Sequence, residues 1–224
     1  MSSPLARIEH RYLRDEAFSR LREAIVGGTL EPGAPLVIDD AAGMLGLSSM
    51  PVREAVRRLV AEGLVEEVHG RRHRVAPLTR ESALNVLTVS ETLIVRAYEL
   101  GVPNLTREHV ARMRLAFERA VESAEASDLT GAQELIHEFH GVVYEATGNP
   151  EFGRLIRAVV SRFDRVLRLW YGESIANVRM SYRADVLSAL EQGEREEALR
   201  IVRDAWVSFR RVVESRGETP ALGE

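Results

Sequence analysis

His137 and His140 stand three residues apart in the stretch LIHEFHGVVYEATGNP, residues 135–150, and Glu134 lies one turn before His137. On a helix, residues three or four apart share a face. Glu134, His137 and His140 therefore have the types and the spacing with which a helix grips a divalent metal. Glu-x-x-His also occurs in di-iron bundles, where matching carboxylates come from other helices. Here the other helices of this region offer no histidine except His109, near a helix start. Ile136, Phe139, His140 and Val143 share an apolar face. His137 falls beside Glu134 and Glu138 toward the polar side, so the two histidines need not converge. A metal-dependent helical hydrolase or oxygenase needs three convergent ligands and an open position. The chain has no cysteine, and shows no Gly-rich phosphate loop and no serine–histidine arrangement. The expectation is no enzyme, no catalytic residue and no cofactor, with a divalent metal disfavoured and His140 its one candidate ligand.

A second set of residues has the chemistry of nucleic-acid contact. Arg53 and Arg57 lie four residues apart on a helix predicted over SSMPVREAVRRLVAEG, with Ser48 or Ser49 as its cap, Pro51 in its first turn and Gly63 at its end. Ser48, Ser49 and Met50 stand at the start, where backbone amides favour a phosphate and hydroxyls complete the contact. Arg53 has the reach for a bidentate contact to guanine, and Arg57 is a phosphate candidate. Farther on, the run His69-Gly70-Arg71-Arg72-His73-Arg74 contains no acid. Glycine there lets the backbone come close to DNA, and the arginines suit a narrow minor groove. The plainer alternatives are a solvated helix face and a module that contacts protein.

Holding these residues in place takes a short helix, a tight turn, a longer helix and a hairpin. AFSRLREAIVGGTL spaces Phe18, Leu21, Ile25 and Val26 as a helix closed by Gly27-Gly28, and EPGAPL reads as a turn. IDDAAGMLGL predicts a short helix capped by Asp39 or Asp40 and stopped near Gly46. Val52, Ala55, Val56, Leu59 and Val60 of the next helix face the core. LVEEVHGRRHRVAP then places two Val-containing runs around Gly70, a hairpin signal. Three helices and a two-stranded hairpin make a winged helix-turn-helix. After Pro77 the pattern predicts helices at about 81–100, 106–126, 129–147, 151–171, 176–191 and 194–215. Their short connections imply an antiparallel bundle. The fold class is mainly α. The expected domains are a winged helix-turn-helix over 1–76, a linker over 77–81, an all-α bundle over 82–216 and a disordered tail over 217–224.

Composition narrows the partners. The 224 residues carry a net charge of −4 and 45% hydrophobic content, and all 30 basic residues are arginine. Residues 1–79 hold 11 arginines against 11 acids, so any DNA binding acts through local patches and not through a basic body. No apolar run suits a membrane span or a signal peptide, and the expectation is a cytoplasmic protein without membrane contact.

The stretch from Leu21 to Ala76 closely resembles the DNA-binding domain of the GntR family of bacterial regulators. Pro51-Val-Arg-Glu-Ala55 and Glu62-Gly-Leu-Val65 carry the signature. The resemblance implies that Arg53 and the wing around Gly70 touch double-stranded DNA. One departure is Ser49, where the family usually has an arginine that reads the operator, which implies an operator unlike the usual family site.

The helical remainder resembles the FCD effector domain of the FadR subfamily. The residues that carry the likeness are Phe139-His140, Thr147-Gly-Asn149, Leu187-Ser-Ala-Leu190 and Gly193-Glu-Arg-Glu-Glu-Ala198. Many members hold a divalent metal through an aspartate, a histidine four residues later and two histidines from the last two helices. Carried onto this chain, His140 matches the first histidine. Ile136 takes the aspartate position, Arg183 (or Tyr182 if the register slips by one) the next, and Ala205 the last. Family arginine and glutamate positions fall at about Ser90 and Ile94. The implied effector set is His140, Tyr182, Arg183 and Ala205, with the Arg183 guanidinium meeting a carboxylate directly where relatives use a cation. The plain alternatives are a buried, hydrogen-bonded His140 and a surface salt bridge from Arg183 to Asp185 or Glu191. Trp170, Tyr171 and Trp206 are core or pocket wall. The family implies a ligand-responsive transcription factor, more often a repressor, that binds a palindromic operator as a homodimer and takes a small-molecule effector in its helical domain. Alternatives are a metal-dependent sensor using His140, a constitutive DNA-binding protein with a decayed pocket, or a metal-dependent helical enzyme.

Overall fold

The computed structural model describes the backbone of residues 9–69, 72–171 and 174–215 and the side chains of 12–69, 72–170 and 180–215. Gly70, Arg71, the Tyr171 side chain and the tail at 217–224 lie outside these described residues. Two apolar clusters divide the chain. The first is built from α1 (Glu9–Gly27), α2 (Ile38–Leu45), α3 (Ser49–Ala61) and a small sheet of β1 (Pro35–Leu36), β2 (Val65–Val68) and β3 (Arg72–Val75). Ile25, Val52, Val56 and Leu59 are fully buried at its centre, each stabilising by about 1.5–3 kcal/mol relative to exposure. Val60 is only partly buried, at the margin.

EPGAPL holds more than a turn. Gly33, at φ +81°, donates its N–H to Val75 O, and Val75 donates back to Ala34 O at 2.8 Å. These bonds make Pro35–Leu36 a third strand in the order β1-β3-β2, antiparallel throughout. A two-residue strand that starts on a proline carries no alternating pattern, so the pairing depends on the distant β3. Helix α2 also differs from expectation: its cap position is Val37, and Asp39 and Asp40 sit inside the first turn. Asp39 accepts a hydrogen bond from Ser49 Oγ at 2.6 Å instead of capping α2.

The second cluster comprises α4 (Arg80–Gly101), a 3-10 turn at Val102–Asn104, α5 (Arg107–Glu125), α6 (Leu129–Ala146), α7 (Pro150–Tyr171), α8 (Ser174–Glu191) and α9 (Arg195–Ser215). Helix α4 opens on a capping box between Thr79 and Ser82, so it begins just inside the expected linker, and Leu78 is already buried in the bundle. His109 is likewise used for structure, closing the Thr106 capping box of α5. Where α4 crosses α6 the backbones nearly touch: a Cβ on Gly101 would lie 2.2 Å from Val143 O. That approach brings Tyr98 of α4 against His140 of α6.

Candidate DNA interface and helical-domain cavity

The helix-turn-helix connection is Gly46-Leu47-Ser48, with Gly46 left-handed at φ +65°. Ser48 stands at the cap position of α3 in extended conformation, with no side-chain cap bond. Met50 is 64% exposed, and Arg53 and Arg57 are exposed on the face opposite the buried Val52, Ala55 and Val56. Neighbouring arginines are engaged: Arg58 lies over the Phe18 ring at 3.6 Å, and Arg14 sits 3.7 Å from Glu54. Arg53 and Arg57 make no ion pair among the described residues, which leaves that stripe positive. Ser49 differs from its neighbours, because its hydroxyl is already donated to Asp39. In the wing, Arg74 donates through Nε and NH2 to Glu66 across the sheet, whereas His69 and Arg72 are exposed.

A cavity of about 200 Å³ opens in the helical domain between α4, α6, α7, α8 and α9. His140 is its organising group. Arg183 Nε donates to His140 Nε2 at 3.0 Å, so that ring nitrogen carries a lone pair. The ring proton then sits on Nδ1, 2.6 Å from Tyr98 Oη. Tyr182 Oη lies 3.4 Å from Nε2, and the Arg183 guanidinium lies 4.6 Å from the Tyr182 ring centre. Burial pushes the Tyr98 and Tyr144 hydroxyls up from their usual range, so both stay protonated.

Arg183 is buried, 3% exposed, and is not a surface salt bridge to Asp185 or Glu191. It lies on the α8 face that packs inward with Val186 and Leu187, a periodicity obscured in the sequence by the polar residues of that helix. His137 also departs from expectation. It lines the same cavity as His140, and its Nε2 is 2.9 Å from Asp164 Oδ2 on α7. Gln133 adds a bond to Asp164 Oδ1 at 3.2 Å. Glu134 is exposed and takes no part. Asp164, 3% exposed, is a cavity residue that sequence reasoning missed. Its signal was an acid embedded in the apolar run VVSRFDRVL, a placement that calls for a partner. Ala205 does not line the cavity; its neighbour Trp206 does, because α9 turns the tryptophan inward. Trp170 is buried in the core.

The divalent metal of the resembled domains does not fit these residues. The lone pair of His140 that would bind it accepts from a cationic side chain, and Ile136 supplies no oxygen. Among the described residues no group of three or more histidines and acids could hold an ion.

Helix α7 joins this cavity to the first domain. Ile156, Val160, Phe163 and Asp164 line the cavity. Ser161, between them, accepts from Arg22 Nε of α1 at 3.0 Å and donates to Glu62 at 3.3 Å. Thr130 of α6 donates to Glu23 of α1 at 2.6 Å.

Residues 13–75 match the family model for bacterial regulatory proteins of the gntR family, and residues 85–206 match the FCD domain. The chain belongs to the GntR family and carries an FCD domain. The HTH-type transcriptional regulator McbR of Escherichia coli K12 is 24% identical over 165 residues, covering 74% of this chain and 75% of its own length. The Probable D-xylose utilization operon transcriptional repressor of Paenarthrobacter nicotinovorans is 29% identical over 192 residues, 84% of each chain. The solved structure of E. coli McbR/YncC superposes with a TM-score of 0.71 at 22% identity, covering 90% of this chain and 97% of that one, which supports the fold. This GntR protein is thus a transcriptional regulator with a DNA-binding domain and an FCD domain. Among the described residues no helix is long and apolar enough to cross a membrane.

Proposed function

We propose that this regulator is a cytoplasmic repressor that binds a palindromic operator as a homodimer and responds to a small carboxylate-bearing effector in the helical-domain cavity. The observation that carries the effector reading is the pairing of a buried guanidinium, Arg183, with His140 inside that cavity. The cation and the Asp164–His137 pair give the site both signs of charge. A ligand with one carboxylate and one or more hydroxyl groups, a hydroxy acid or sugar acid, matches both. At about 200 Å³ the cavity falls below the usual range for drug-sized ligands, which favours a small acid over an acyl thioester.

At the operator, Arg53 reads a base while Ser48, Met50 and Arg57 set the register on phosphates and neighbouring bases. Ser49 acts through Asp39 to fix the α2–α3 turn. His69, Gly70 and Arg71 belong to the wing that follows the minor groove. The repressor sign rests on the relative from P. nicotinovorans, whose name describes a repressor. Effector binding shifts operator affinity only insofar as it favours one placement of the DNA-binding domains over another.

The test is a thermal-shift screen of hydroxy acids, sugar acids and neutral sugars, followed by gel shifts on DNA from upstream of its own gene. The expected result is stabilisation by an acid that is lost in Arg183→Met and that lowers operator affinity. Stabilisation by a neutral sugar alone, unchanged in Arg183→Met, would reject the carboxylate assignment.

A further inference from the structure

A second cavity, of about 300 Å³, lies where the two domains meet. Its walls come from Gly63 and Glu66 of the DNA-binding domain, from Pro77 and Leu78 between the domains, and from α4 and α7. Two arginines of α7 line it, Arg162 and Arg165. Arg165 is 3% exposed, and its Nε and NH2 are buried without a hydrogen-bond partner. Those two nitrogens form the side-on edge of the guanidinium, the fork that matches two oxygens of one anion. Arg162 Nε is likewise buried and unpartnered, with its side chain folded against Gly63.

A guanidinium cannot readily shed its charge, and a buried charge without a counter-ion costs several kcal/mol. The only carboxylate on the cavity wall among the described residues is Glu66, and its Oε2 already accepts both Arg74 bonds. Burial alone lowers Arg165 to about 10, with no acid offsetting it. A buried, unpartnered fork on an arginine that lines a cavity, kept charged and left without an internal acid, is the arrangement of an anion site.

We propose that the interdomain cavity binds a compact oxyanion, a phosphate or carboxylate group, chelated by the unpartnered edge of Arg165 with Arg162 alongside. Because the walls belong to both domains, occupancy stabilises the placement of the DNA-binding domain on the bundle. This site is separate from the Arg183 cavity and does not depend on what binds there.

The experiment uses the full-length protein at fixed ionic strength, with chloride exchanged for inorganic phosphate, acetate or succinate, and follows thermal unfolding in the parent, Arg165→Met, Arg165→Lys and Arg183→Met. A hundredfold excess over Kd should raise the parent melting temperature by roughly 5–10 °C, with saturation. The phosphate and carboxylate arms identify which group is preferred. The rise should persist in Arg183→Met, weaken in Arg165→Lys, which keeps the charge but loses the fork, and vanish in Arg165→Met. In chloride alone Arg165→Met should melt no lower than the parent, because it removes an unpartnered buried charge. A rise equal in Arg165→Met and the parent, no saturable rise with any of the three anions, or a rise lost only in Arg183→Met would overturn the proposal.

Discussion

Tyr98→Phe should be costly in the parent protein and harmless, or stabilising, once His140 is gone. The Tyr98 hydroxyl is fully buried and stands 2.6 Å from His140 Nδ1. Arg183 donates to the opposite ring nitrogen, so Nδ1 holds the proton and Tyr98 Oη is its acceptor. Removing the hydroxyl strands a buried N–H, which costs about 1–3 kcal/mol. For a chain of this length that is roughly 2–12 °C in melting temperature. His140→Leu removes both partners at once, the N–H that donates to Tyr98 Oη and the lone pair that accepts from Arg183 Nε, at about 2–6 kcal/mol from the same per-group penalty. In the double variant the Tyr98 hydroxyl is no longer there to be stranded, so Tyr98→Phe should recover part of the His140→Leu loss. Urea denaturation of the parent, both single variants and the double variant measures the coupling, which should be at least about 1 kcal/mol in magnitude. If Tyr98→Phe costs the same in both backgrounds, the hydroxyl and the imidazole are not partners, and the tautomer assigned to His140 falls with them.

Other outcomes test the remaining parts. Arg53→Ala should cost about 1–3 kcal/mol of specific operator affinity and relax sequence preference, while Arg57→Ala should weaken all sequences alike and reduce the salt slope by about 1; identical effects of the two in salt-dependent binding would refute the division of roles. Gly101→Ala should lower stability by about 1–3 kcal/mol in urea denaturation, because its Cβ meets the Val143 carbonyl, an overlap that outweighs the roughly 1 kcal/mol gain in helix propensity; an unchanged midpoint would mean that α4 and α6 are free to part. Zinc, nickel or manganese added to purified protein should neither remain bound after dialysis nor raise the melting temperature, and stoichiometric metal by elemental analysis would overturn the reading of His140. Ser161→Ala should leave effector stabilisation intact but shrink its effect on operator binding, measured by gel shift; full retention of the effect would remove the α7–α1 contact from the route between the sites.

The elements were legible because each carries its own punctuation. Gly46, Gly63 and Gly193 occupy left-handed positions that end or follow helices, and Thr79 and Thr106 head capping boxes, all local signals. Strand β1 was not legible, since its two residues are held by Ala34 and Val75 and have no pattern of their own. The candidate pocket was half legible. His140 and Arg183 stood out against a resembled ligand set, and the structure joins them at 3.0 Å. His137 was misplaced because helical spacing alone cannot show that a half-buried histidine leans toward an acid on another helix. Its partner Asp164 lies 27 residues away. Ala205 matches a family ligand by position alone, and the inward residue on α9 is the adjacent Trp206.

The same limit explains why the link between the domains was invisible. Helix α7 is apolar enough to read as a plain bundle helix, yet it has two working faces. Phe163 and Asp164 look into the helical-domain cavity, while Ser161, Arg162 and Arg165 look toward α1, Glu62, Gly63 and the interdomain cavity. A side chain pushed on one face moves the other by the same rigid displacement, because a packed helix does not bend at single residues. Under the proposed effector response, small motion of α7 has a direct mechanical outlet at the Arg22–Ser161–Glu62 contacts. Those bonds are few, polar and partly solvated, and as hydrogen bonds to charged groups each is worth about 1.5–3 kcal/mol at most. Contacts of that strength can be exchanged within the 1–3 kcal/mol typical of allosteric coupling, whereas the buried cores on either side cannot. Under the proposed effector response, these contacts are thus the part of the molecule that an effector's binding energy is large enough to rearrange.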